Sequence, residues 1–359
     1  MSRPVHIVAS GLLCARGDSP AAVRDALWMG ECSAGQHTLG ERRFPYYALP
    51  VEEPDWSLRA ERAVRQVSAQ LGPYAPATPL FVASSSFQIG LFEQQGAPFD
   101  MPVGSASFSR QIADWMALKG PRASFSNACV SGFSAIDAAS TLIAAGLIDE
   151  AIVVGIELAN DSTLAGFGAM ELLSRSLCRP FDARRDGLVL GEAVAAIKLS
   201  ASPGPWTIGG LATGLDAYST TGPDPDGGPI AGVMRACLHA ANATPADVDL
   251  IKLQAAGSPG SDLAEANALR QVFGASMPPL LSLKPALGHT LGASGIAELA
   301  ALLAGLDAGQ IPATANYRDS DAEIGLAPVT VRRQATVRRA LLNLIGFGGG
   351  LASLVVERS

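Results

Sequence analysis

Ser126-Asn127-Ala128-Cys129-Val130-Ser131-Gly132 marks the point where a short apolar run breaks and a helix-forming stretch begins. The residues that follow, 133–146, are small and apolar, so a helix start can pack tightly there. Unpaired N–H groups and the positive end of the helix dipole favour a thiolate in such a first turn. A thiolate there is a nucleophile for acyl groups. Free cysteines are also among the most buried residue types, so a structural Cys129 is the alternative on local sequence alone.

The whole chain sets the bounds. Its 359 residues are 48% hydrophobic and 16% charged, with 38 glycines, which suits an α/β protein packed through small residues. The net charge is −7 and no basic cluster stands out, which argues against nucleic acid or an anionic membrane surface as partner. An acidic protein partner would need a local basic patch, for which Arg110, Arg122, Arg184 and Arg185 are candidates. The five cysteines (14, 32, 129, 178 and 237) are scattered and without CxxC spacing, which disfavours a disulfide framework and a zinc site. No stretch approaches a membrane span, and a reducing cytoplasm is the expected compartment.

Apolar runs at residues 5–10, 80–84, 123–126, 150–157 and 194–199 predict strands. Helices are expected from Pro20 towards Gly30, and over 57–71, 108–118 and 134–148. Residues 31–56 read as loop or short strands. The segment Ser200-Ala-Ser-Pro-Gly-Pro205 is the expected joint between an N-terminal half, 1–200, and a C-terminal half, 201–359. Beyond it the order recurs, with helices at 230–241, 262–273 and 292–309 and strands at 250–253, 280–283 and 352–357. A faint repeat pairs residues 134–148 with 295–309, two small-residue helices entered from glycine-flanked loops.

Further stretches carry chemistry. Arg179-Pro-Phe-Asp-Ala-Arg-Arg-Asp-Gly187 with Gly191-Glu192 reads as a salt-bridged structural loop. Leu253-Gln-Ala-Ala-Gly-Ser-Pro-Gly-Ser-Asp262 leaves a strand and is expected to cap a helix through Asp262. Lys284-Pro-Ala-Leu-Gly-His289 leaves another strand and puts His289 before a helix start, where an imidazole tends to stay neutral. Gly346-Phe-Gly-Gly-Gly350 allows close backbone approach, and its N–H groups suit a developing oxyanion.

Together with Asp216-Ala-Tyr218 and Pro223-Asp-Pro-Asp-Gly227, these motifs resemble, in order and spacing from Val5 to Val356, the β-ketoacyl synthases of type II fatty-acid and polyketide systems. The resemblance implies a thiolase-like α/β fold, a duplicated five-layer α-β-α-β-α arrangement that is usually dimeric. It implies that Cys129 takes an acyl group from the phosphopantetheine arm of an acyl carrier protein. The N–H groups of Cys129 and Phe347 would form the oxyanion hole, and Phe347 would gate the site. Lys284 would set the electrostatics, with Glu192 as its partner, and His289 would be one of two active-site histidines. Ser258 and Ala256 fall where the family contacts the pantetheine arm, and Ala256 replaces a threonine. No metal and no intrinsic cofactor are implied.

The pattern breaks at Gln254. The second histidine normally opens a His-Gly-Thr-Gly-Thr motif, and this chain has Gln254-Ala-Ala-Gly-Ser258. Decarboxylative condensation needs donors on the malonyl thioester oxygen as an enolate forms, and losing one such donor typically costs about 3–4 kcal/mol. A glutamine retains a neutral N–H but transfers no proton. Residues 31–80 also look trimmed, and Leu351 stands near the usual asparagine after the final glycines. The expectation is a ketosynthase-like, chain-length-factor-like subunit paired in a heterodimer with an active ketosynthase. Its alternative is an enzyme, acting as a homodimer, that is acylated on Cys129 and weak in condensation. A biosynthetic thiolase is disfavoured, because no cysteine lies in the final glycine motif.

Overall fold

The computed structural model describes residues 3–359. Ten strands make one mixed sheet: β1 His6–Cys14, β2 Leu80–Ala83, β3 Arg122–Phe125, β4 Glu150–Glu157 and β5 Ala193–Ser200, then β6 Trp206–Leu215, β7 Leu250–Lys252, β8 Leu280–Leu281, β9 Arg339–Ile345 and β10 Gly350–Arg358. The first five run in the order β3-β2-β4-β5-β1 and the second five in the order β8-β7-β9-β10-β6. In each half the strands on either side of the second strand lie parallel to it, and the remaining neighbours are antiparallel. The chain therefore carries one topology twice. The halves meet where His6 and Ile7 pair with Thr207 and Trp206.

Seven helices cover the faces: α1 Pro20–Met29, α2 Trp56–Ala69, α3 Met101–Trp115, α4 Ser131–Ala144, α5 Gly228–Ala240, α6 Pro259–Phe273 and α7 Ser294–Asp307. Side-chain oxygens of Ser19, Asp55 and Asp100 accept N–H groups in the first turns of α1, α2 and α3. Strand alternation produces the layers. In β4, Ala151 and Val153 face the central core, while Ile152, Val154 and Ile156 face α2 and α3. In β9, Ala340, Leu342 and Leu344 face the same central core, while Leu341 and Ile345 face α5 and α6. Strands buried on both faces read as unbroken apolar runs. The central core holds α4 and α7, completing the duplicated five-layer α-β-α-β-α fold.

Both central helices are 14 residues long and begin Ser-Gly, which sets the structural repeat at Ser131 with Ser294. The sequence pairing was displaced by two residues because alanine-rich helices align at several offsets. The helix expected from residue 108 begins at Met101, whose first turns of small residues hide the period. Residues 35–39 and 42–47 form a hairpin, and Tyr46–Tyr47 pairs with Leu190–Gly191. Among the described residues no helix is long and apolar enough to cross a membrane.

Candidate active site

Cys129 follows β3 at a turn in which Ala128 adopts φ 44°, a left-handed conformation that non-glycine residues rarely hold. Ser131 staples the turn: its Oγ accepts the Asn127 N–H at 2.8 Å and donates to the Ala128 carbonyl at 2.7 Å. The first residue of α4 is Ser131 and the cap is Val130, so the thiol precedes the helix and does not lie in its first turn. The N–H groups of Phe347 and of Cys129 itself both reach the sulfur. Burial nevertheless pushes the Cys129 thiol up to about 11, against the pull of Lys284 and these two donors. The resting group is a thiol. The thiolate expected from the helix dipole is overturned, because desolvation outweighs the dipole here.

Phe347 enters between β9 and β10. Gly348 and Gly349 have φ 74° and 79°, and a Cβ on Gly349 would fall 1.8 Å from the Asp216 carbonyl oxygen. Only glycine fits that contact. The Asp216 N–H donates back to the Gly349 carbonyl at 2.8 Å, locking the two glycine-rich loops together. The Phe347 ring stacks on Phe167, with centroids 5.3 Å apart and planes 13° from parallel.

Gln254 is held through its backbone. Its N–H and that of Ala255 donate to the Glu265 carboxylate, each at 2.8 Å, and the Asn343 amide adds a third donor at 2.7 Å. The Gln254 side chain is buried and its Oε1 has no hydrogen-bond partner. Asp262 lies one turn inside α6 and does not cap it. It accepts the N–H groups of Phe181, Ala256 and Gly257, tying the Arg179 loop to the Gln254 loop. Burial raises Asp262 to about 7 and raises Glu265 as well.

His289 is buried, and its Nδ1 faces the Ser294 hydroxyl at 3.0 Å and the Leu291 N–H at 3.3 Å. The Leu291 N–H donates to Nδ1, which makes Nδ1 the acceptor and places the ring proton on Nε2, the remaining nitrogen. Burial, reinforced by the positive charge of Lys284, holds its pKa down to about 3. The imidazole is neutral and donates through Nε2.

Lys284 is fully buried and pairs with Glu298 of α7, which also receives Lys252 at 2.5 Å. Two ammonium groups share one carboxylate. Glu192, expected beside Lys284, instead pairs with Arg59 and accepts the N–H groups of Leu49 and Ala159. Of the four candidate arginines, Arg110 and Arg122 share a surface cleft beside β3. Arg184 and Arg185 are neutralised by Asp319 and Asp321, as the structural reading of that loop requires.

One cavity of about 30 Å³ collects Cys129, Gln254, His289 and Phe347. Ala256, Ser258, Ser261 and Thr221–Pro223 also line it. Lys284 stands behind it. Sequence reasoning missed Glu298, Lys252, Glu265 and Phe167, since nothing in the chain marks which distant groups they meet.

The chain matches the β-ketoacyl synthase N-terminal domain over residues 79–202 and the C-terminal domain over residues 207–318. It belongs to the β-ketoacyl synthase family. It is 34% identical over 271 residues to the tetracenomycin polyketide synthase ketoacyl synthase alpha subunit of Streptomyces glaucescens, covering 70% of this chain and 63% of that one. It is 32% identical to 3-oxoacyl-[acyl-carrier-protein] synthase 2 of Mycobacterium leprae, covering 62% and 57%. Nodulation protein E of a Rhizobium species is 31% identical, with 73% and 67% covered. The matches thus span 57% and 63% of the first two relatives' lengths. Among solved structures, a ketosynthase in complex with its chain length factor from Xenorhabdus doucetiae superposes with a TM-score of 0.85 at 25% identity, covering 99% of this chain and 98% of that one. The ishigamide ketosynthase/chain length factor superposes at 0.86 over the full length of both chains, and its 21% identity speaks to fold alone.

Proposed function

We propose that this chain is a ketosynthase-like subunit of a type II polyketide or fatty-acid-like system. In this reading it pairs with an active ketosynthase and shapes the acyl tunnel during elongation on an acyl carrier protein, in the manner of a chain length factor. The observation that carries the reading is Gln254. Its amide stands at the wall of the Cys129 cavity, where the family places a second imidazole. His289 alone is left to donate to an enolate oxygen, and the thiol begins protonated. Acyl transfer loses less by this change than decarboxylation does, because only the latter builds charge on the malonyl oxygen.

Co-expression with a ketosynthase carrying the full Cys-His-His set tests the reading. A stable heterodimer with higher elongation activity than either chain alone is expected. A stand-alone homodimer that elongates malonyl-carrier substrates at the rate of the full set would sink it.

A second reading has its own support. The two N–H groups that reach the Cys129 sulfur make an acylated Cys129 chemically reasonable. The chain would then be an acyltransferase or a slow condensing enzyme, with the pantetheine arm passing Ser258 and Ala256. An acyl adduct on Cys129 after incubation with an acyl-carrier thioester, lost in Cys129→Ala, would support it.

A further inference from the structure

Cys129 has two different surroundings. Towards the mouth it borders the cavity lined by Gln254, Ser258, Thr221 and Phe347. It also belongs to an apolar cluster with Phe44, Tyr46, Leu164, Leu188, Leu190, Ala256 and Leu291; Leu188 and Ala256 line the cavity, and the other five lie beyond its lining. An acyl chain on the sulfur needs room beside the thioester carbon. The cavity measures only about 30 Å³, room for a few waters at most.

Phe44 and Tyr46 come from the hairpin strand 42–47, and both are buried. The Phe44 ring packs on the helix Asp161–Ala169, where a Cβ on Gly168 would stand 3.4 Å from its Cζ, and the Arg42 guanidinium lies 5.1 Å from its centroid. Tyr46 pairs in register with Leu190, and Leu190 in turn bridges to His289. The plug is thus tied by backbone hydrogen bonding to the strand that holds the imidazole, and swinging it aside would disturb His289.

We propose that Phe44 and Tyr46 set the size of the acyl group Cys129 accepts, confining it to acetyl-sized groups. This rests on the acylation reading above. In the step concerned, the Cys129 Sγ–acyl bond forms and the thioester C–S bond of the donor breaks, while the thiol proton passes to the departing thiolate. No other reactant is needed.

The full-length protein, its Phe44→Ala and Phe44→Leu variants and Tyr46→Leu are each incubated with acetyl, butyryl and octanoyl thioesters of N-acetylcysteamine. Intact mass reads the occupancy of Cys129. A parallel series with iodoacetamide and N-hexyl iodoacetamide reads space alone, independent of acyl chemistry. The expected result is that the unaltered protein favours acetyl over octanoyl, and iodoacetamide over its hexyl form, by about tenfold or more. The variants should raise the long-to-short ratio in both series, with Phe44→Leu covering the case in which Phe44→Ala does not fold. Equal loading of short and long groups by the unaltered protein, or ratios that none of the variants shift, would overturn the proposal. Alkylation that follows the expected size rule with no acyl transfer at any length would sink the acylation reading and the acyl proposal with it.

Discussion

Gly132 and Gly295 lie against each other where the two central helices begin, and a Cβ on Gly132 would stand 3.2 Å from the Gly295 Cα. These are the second residues of α4 and α7, so the duplicated halves touch through their equivalent positions. The contact sets how closely the Cys129 turn and the His289 turn approach. Gly132→Ala must push backbone against backbone, and overpacking of this kind costs about 1–3 kcal/mol. The expected outcome is a lower thermal midpoint and a changed Cys129 alkylation rate, whereas alanine at the open position Gly232 should do neither.

Glu298 pairs with two buried lysines at once. Glu298→Gln leaves both ammonium groups without a carboxylate, and breaking a buried pair from one side costs about 3–5 kcal/mol. Chemical denaturation should register the loss. Lys284→Met in the same background should recover part of it, since one uncompensated charge is then removed.

Cys129 should behave as an ordinary buried thiol. With its pKa up at about 11, roughly one molecule in ten thousand is thiolate at pH 7. The iodoacetamide rate at Cys129 should therefore climb about tenfold per pH unit from pH 7 to 10, without a plateau. A plateau beginning near pH 7 would mean that the helix start and Lys284 prevail over burial.

His289 gives the fold a dependence on pH. Its folded value is held down to about 3 from 6.5, so between these values the unfolded chain binds a proton that the folded chain does not. The stability contributed by the neutral ring is fully present above pH 6.5 and is lost as pH falls towards 3. Asp262, raised to about 7, works in the opposite sense, so the comparison with a variant isolates the histidine. His289→Asn should gain on the unaltered protein as the denaturation pH is lowered from 7 to about 4.

Much of this was legible because the residues that carry the chemistry are rare types in marked settings. Cys129, His289 and the glycines around Phe347 announce themselves, and strands such as Glu150–Glu157 read as apolar runs because both faces are covered. The strand Trp206–Leu215 was not read, since its glycines and half-exposed positions blur the period. Lys284's true partner was also invisible. Glu298 reaches it from the next helix, while Glu192 looked nearer in motif but is bound by Arg59. The thiol's protonation state depends on burial by Phe44, Tyr46 and Leu164, which no local motif records.

The most direct test of the central claim is carbon dioxide release from a malonyl-carrier thioester by the isolated chain and by its Gln254→His variant. The account predicts slow release by the unaltered chain and a rise of about two powers of ten when the imidazole is supplied. Release by the unaltered chain as fast as that of a full Cys-His-His ketosynthase, with no gain in the variant, would contradict it.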